Sequence, residues 1–371
     1  MGKITLPRSG LYSLVAAAYR REPKRWGPML TGAVILCLLL FIYWAGRNFN
    51  PYQVRILNLI GINIGLGLSL NLINGFTGQF SLGHAGFMAV GAYTTTLLMM
   101  PPAVKQMNFF MVPLVSPLDQ IQLPFLAALL LGGLLSALMG FLIGAPVLRL
   151  RGDYLAIATL GFSEIIRIVI TNIRSVTNGA LGLKAIPAYT NLWWSWGFAL
   201  LTIFVITRLI HSSYGRAFKA IREDEIAAEA MGIGLFRHKM LAFTLGAFLA
   251  GIGGGFQASL LTTIDPNMFR FILTFEILLI VVLGGMGSIT GTVIAATIVT
   301  ILKEVLRGVE APMNLGFISL PGIPGMRMVI FSLLLILVVL FYREGIMGQR
   351  ELSWEGLFGP RNGRPERGVE A

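Results

Sequence analysis

Apolar residues run in long blocks separated by short polar gaps. A helix crossing a bilayer needs about 20 mostly apolar residues. Ten stretches approach that length: 29–46, 54–73, 80–100, 124–148, 153–172, 192–210, 240–262, 271–286, 290–306 and 327–342. Segments 271–286 and 290–306 are short, and Gly284-Gly285-Met286-Gly287-Ser288 separates them, so they read as two helices or as one broken hairpin. The pattern predicts an all-α, polytopic integral membrane protein of eight to ten spans, about ten if every stretch crosses. Ahead of the first block, Leu11, Leu14, Val15 and Ala18 share one helical face after Ser9, a residue suited to cap a helix. The reading is an N-terminal segment, 1–28, with an interfacial helix and no signal-peptide pattern. A transmembrane domain, 29–342, follows, and a charged, Gly- and Pro-containing tail, 343–371, ends the chain.

Composition narrows the class. Hydrophobic residues make up 55% of the 371 and charged residues 12%, about half the charged share of a soluble domain. Mean hydropathy is +0.76. The net charge of +12 would suit a nucleic-acid binder, but the basic residues flank apolar blocks and do not interleave with stacking aromatics. Their distribution tests topology instead. With the N-terminus inside and ten alternating helices, the groups at 3–25, 149–151, 208–239 and 343–367 all fall inside. Arg47, Arg55, Lys105, Arg174, Lys184, Arg270, Lys303, Arg307 and Arg327 form the smaller outside set. That excess is what the positive-inside rule expects of a chain with both termini in the cytoplasm. Cys37 lies alone in an apolar run and pairs with nothing in the chain.

Few residues offer chemistry. The phosphate-binding Gly-x-x-x-x-Gly-Lys-Ser/Thr pattern does not occur. Gly251–Gly255 and Gly284–Gly291 follow no strand, and they read as close helix packing or helix breaking. His84, His211 and His238 lack metal-ligand spacing. No catalytic, cofactor-binding or metal site is therefore expected. Glu164 and Arg167 stand three apart inside a span and read as a charge pair that makes burial tolerable.

Three segments are polar beyond what a membrane anchor needs. In 71–84, Asn71, Asn74, Thr77, Gln79, Ser81 and His84 interrupt apolar sequence. They read as a broken helix beside a solute path or as a tight turn. Asn178–Lys184 is an outer loop that could line an entrance. The third, 211–239, is the longest polar gap between spans. Glu223-Asp-Glu-Ile-Ala-Ala-Glu-Ala-Met-Gly232 predicts a cytoplasmic helix ending at the glycine, suited to docking a partner.

These same segments carry a family resemblance. Asn71–Tyr93, Arg151–Arg167, Thr177–Leu183, Gly215–Gly232 and Val282–Ser288 resemble, in order, the LivM-type permease subunits of ABC importers for branched-chain and other hydrophobic amino acids. The resemblance implies the ABC-importer permease fold, a related LivH-type second permease, two cytoplasmic ATPase subunits that hydrolyse the ATP, and a periplasmic amino-acid-binding protein. Such permeases dock the ATPase through a Glu-Ala-Ala-x-x-x-Gly loop. Here Gly232 follows Glu225 by seven residues instead of six. Arg222, Glu223, Glu225, Ala228, Glu229 and Gly232 are the docking candidates. Cargo stays open among branched-chain amino acids, other neutral amino acids, and urea or short amides. The alternative is a self-contained carrier or channel for a small polar solute.

Overall fold

A computed structural model describes residues 26–150, 152–307, 313–314, 319–320, 325–341, 345–348 and 351. The interfacial helix expected near Leu11–Arg21 and most of the expected tail lie outside these residues. The chain divides into two compact units, Met1–Asn48 with Leu352–Ala371, and Phe49–Glu351. In the first, α1 (Trp26–Asn48) is a single apolar helix. Near its end the Arg47 guanidinium lies 4.6 Å from the centre of the Tyr43 ring.

The second unit is a helical bundle. Its elements are α2 (Pro51–Asn71), a π-turn (Leu72–Phe76), α3 (His84–Met99), α4 (Pro102–Asn108), α5 (Phe125–Val147), α6 (Asp153–Asn172) and α7 (Arg174–Thr177). Next come α8 (Leu192–Ile210), α9 (Ser213–Glu223), α10 (Glu225–Ala230), α11 (Leu235–Leu261), α12 (Phe271–Gly284), α13 (Ile289–Arg307) and α14 (Met326–Phe341). Among the described residues, extended pairing is limited to Met313–Asn314 with Ser319–Leu320, antiparallel, and one bridge between Leu183 and Ile264.

Every predicted apolar stretch forms a helix, some at full length, as at 153–172 and 192–210, and others short of it. Among the described residues, seven helices are long and apolar enough to cross a membrane. The other three, α3, α12 and α14, have 16, 14 and 16 residues. The stretch expected to be helical from 80 starts only at His84, because 77–83 is irregular. The 14 residues of α12 span about 21 Å at the α-helical rise. Its first amide already meets Glu164, midway along α6, so the segment before it dips into the bundle, with Pro266 and Phe269 buried. In the other direction, α11 begins at Leu235, earlier than the apolar pattern indicated.

Lipid supplies no hydrophobic drive between helices, so close packing has to hold them together. Glycines make that possible where α3, α5 and α11 cross. A Cβ on Gly91 would sit 2.1 Å from the Gly251 carbonyl oxygen, and one on Gly254 would sit 2.2 Å from that of Met88. The Gly251–Gly255 patch is thus a packing surface. Hydroxyls add ties across it, with Ser136 donating to the Phe87 carbonyl at 3.0 Å. Gly284–Gly291 is instead a helix break, where Gly285 and Gly287 take φ of 106° and 88°, angles disfavoured for side chains with a Cβ.

Contacts sort the loops into two sets at opposite ends of the bundle. One set joins Asn108 to Lys184, Val115 to Ser175 and Leu183 to Ile264. The other joins Gln79 to Lys239, Gly75 to Arg222, and residues 346–351 to 283–290. The second set holds every polar segment discussed next except Asn178–Lys184 and the pair on α6.

Candidate functional site

Two interrupted helices meet at one end of the bundle. The first interruption follows α2. Its last turn widens into the π-turn and the chain then runs irregularly to His84. Widened turns leave carbonyls without intrahelical partners, and here side chains answer them. Thr77 Oγ1 donates to the Ile73 carbonyl at 2.6 Å and the Leu72 carbonyl at 3.0 Å. Asn74 and Ser81 pair reciprocally, amide to carbonyl, at 3.3 and 3.2 Å. Gln79 Nε2 reaches the Lys239 carbonyl at 3.2 Å. His84 Nε2 lies 2.9 Å from Ser69 Oγ. The first turn of α3 is completed by Thr274, which accepts from the Ala85 amide at 3.0 Å.

The second interruption, between α12 and α13, is locked to the first by Asn71. Its Nδ2 donates to the Ser288 carbonyl at 2.9 Å and to Thr292 Oγ1 at 2.8 Å, while its Oδ1 accepts from the Gly287 amide at 2.9 Å. Gly75 has to be glycine for this contact, since a Cβ would fall 1.8 Å from Asn71 Oδ1. On the far side, Glu351 accepts from the Ile289 and Thr290 amides at 2.6 and 3.0 Å and caps α13.

The structure therefore gathers Asn71, Asn74, Thr77, Gln79, Ser81 and His84 into one cluster, each no more than 5% exposed. They tie the breaks internally in this state. Gln79 Oε1 and His84 Nδ1 are buried without a hydrogen-bond partner among the described residues.

The 211–239 segment folds as an elbow over the breaks. The helix expected over 223–232 is α10, which starts at Glu225, and a further helix, α9, precedes it. Asp224 separates them at φ −157°, ψ 115°, and its carboxylate caps α10 by accepting from the Ile226 and Ala227 amides at 2.8 and 3.0 Å. An aspartate there favours capping over helix interior. Gly232 does end the second helix, at φ 82°. Phe218 and Ile221 anchor α9 inward, and Glu225 pairs with Lys239 of α11 at 2.5 Å.

The docking candidates divide. Glu223, Glu229 and Gly232 face outward, Glu225 is half-buried, and Ala228 is buried. The Arg222 side chain turns inward and donates to the Gly75 carbonyl at 3.2 Å. Sequence reasoning missed the two apolar residues most exposed on the elbow, Ile226 at 70% and Met231 at 82%. Their signal was apolar side chains in a charged loop, a pattern that marks contact surfaces.

Glu164 and Arg167 do pair, at 2.7 Å, and Glu164 also accepts from the Phe271 amide at 3.3 Å. A second intramembrane pair, Glu276 with Lys303, joins α12 to α13 and was not singled out in the sequence, because its partners lie on different helices. Asn178 takes φ 61° and its side chain holds the Gly182 carbonyl at 2.8 Å, so Asn178–Lys184 is a fixed loop.

Apolar helices with buried polar breaks and an outlying polar elbow define a multi-pass membrane permease. The chain belongs to the family described as the branched-chain amino acid transport system / permease component, which matches residues 52–339. It is 37% identical to the high-affinity branched-chain amino acid transport system permease protein LivM of Salmonella typhimurium over 69% of this chain and 64% of that protein. Identity to LivM of Escherichia coli K12 is also 37%, over 74% of this chain and 68% of that protein. The chain thus spans about two thirds of the length of these relatives. The permease protein LivH of Salmonella typhimurium is 23% identical over 84% of this chain and 98% of that protein. No solved structure matches.

Proposed function

We propose that the chain is the membrane-spanning permease subunit of an ATP-driven importer for branched-chain amino acids. The observation that carries this reading is the elbow. It presents Ile226, Glu229 and Met231 outward while it is bonded inward to the first helix break and lies against Gly287 of the second. A self-contained carrier has no use for such a surface. LivM and LivH are named as permease proteins of one kind of system, and similarity to both supports pairing with a related second permease. Two cytoplasmic ATPase subunits on the elbows and a periplasmic binding protein at the opposite end complete the assembly. Ten spans with both termini in the cytoplasm fit it best. The two sets of loop contacts support alternation of successive membrane helices from α2 to α14 within Phe49–Glu351.

In this reading the breaks are the moving parts. Residues 71–84 form a wall of the path that opens when the elbow shifts, and Gln79 and His84 offer it unpaired polar atoms. The test is site-directed crosslinking. Cysteine at Met231 or Ile226, in a background without Cys37, is expected to crosslink to the ATPase subunit in membranes. Labelling of these cysteines from the periplasmic face would overturn the assignment.

A further inference from the structure

We propose that Arg222 is a positioning residue that joins the elbow to both helix breaks, so that movement of the elbow is delivered to them together. The inference rests on the importer reading and adds a transmission point that docking alone does not require. Arg222 is the next-to-last residue of α9. Its side chain is 18% exposed while that of the adjacent Glu223 is 68% exposed. An arginine built to meet a partner would be the exposed one.

The guanidinium is shared between the two directions. Nε and Nη2 both donate to Glu223 Oε1, at 3.2 and 2.7 Å, and Nη1 donates to the Gly75 carbonyl at 3.2 Å. Gly75 lies in the π-turn, where a carbonyl at a helix end favours a cation. The side-chain stem crosses Gly78, which holds φ 68°, and a Cβ there would lie 3.0 Å from Arg222 Cγ. The tip meets the second break, since a Cβ on Gly287 would lie 2.6 Å from Arg222 Nη1. The Gly287 amide is in turn held by Asn71. Three glycines thus shape the slot for one side chain, and that side chain touches both interruptions at once. A planar fork of fixed charge suits this task. A lysine keeps the charge and loses the fork.

The experiment uses the complete importer in proteoliposomes: both permeases, the ATPase subunits and the binding protein. Arg222→Lys and Arg222→Met are compared with wild type for retained ATPase subunit and for leucine taken up per ATP hydrolysed. Both variants are expected to keep the ATPase subunit at wild-type stoichiometry. Uptake per ATP should fall at least tenfold for Arg222→Met and severalfold for Arg222→Lys. Met231→Asp should show the opposite signature, loss of the ATPase subunit itself. A wild-type uptake ratio in Arg222→Lys and Arg222→Met overturns the proposal, and so does loss of the ATPase subunit from Arg222→Lys. Where Arg222→Met does not assemble, Arg222→Lys, which keeps charge and length, decides. Failure of the wild-type complex to import with ATP would instead strike the importer reading.

Discussion

At the scale of single residues, the polar groups of this membrane protein act chiefly as ties. Asn71 is the clearest case, with three hydrogen bonds across two helix breaks. Replacing it with leucine leaves the Gly287 amide without that acceptor, at a cost of about 1–3 kcal/mol. Asn71→Leu is therefore expected to lower the unfolding midpoint in a denaturing-detergent titration; a wild-type midpoint would contradict the tie. Glu164 shows why an ion pair can be more than its two charges. Since it also accepts from the first amide of α12, a carboxylate belongs at that position and a guanidinium does not. Reversing either member of the pair alone should impair assembly in membranes. The double swap Glu164→Arg with Arg167→Glu should recover part of it, less than a freestanding pair would. Full recovery would show that the α12 contact is dispensable. The Glu164–Arg167 pair was legible from its helical spacing. Glu276 with Lys303 was not, because pairing across two helices leaves no periodic mark.

At the scale of elements, helix positions were legible and helix ends were not. Apolar runs of about twenty residues report spans directly, because the bilayer sets their length. Helices α3 and α12 are shorter than their apolar runs suggested. At 77–83 the side chains of Asn74 and Thr77 satisfy the backbone locally, so irregular structure survives inside the fold. Apolar content carries no trace of that exchange. The same holds for Asp224, whose cap splits the elbow where propensity alone favours one helix. Asp224→Ala should merge α9 and α10 or fray the second; its expected cost is about 1 kcal/mol, and the elbow should gain amide exchange. Unchanged exchange across 225–230 would show that tertiary packing holds α10 without the cap. Where α3 meets α11, the spacing leaves no room. Gly91→Val would press a side chain into the Gly251 backbone, and the variant is expected to be absent from the membrane fraction. Accumulation at wild-type levels would mean the helices can separate without loss.

At the scale of the whole molecule, the sequence pattern fixed the class, and the family match over residues 52–339 covers both breaks and the elbow. Two of the three polar segments, 71–84 and 211–239, hold the site, but their contact with each other and with the glycine-rich break was not legible, since Gly75, Arg222 and Gly287 meet from separate regions of the chain. The arrangement argues for a division of labour. One end of the bundle holds two breaks bonded to each other, and the elbow above them offers an apolar, charged surface outward. An energy source that grips this surface would move the breaks without entering the membrane. The central claim is that this source is ATP hydrolysed by partner subunits. Leucine uptake into vesicles carrying the assembled complex, with binding protein outside, tests it most directly. The account predicts accumulation when ATP is trapped inside, and none when only a proton or sodium gradient is imposed. Uptake driven by the gradient and indifferent to ATP would contradict it.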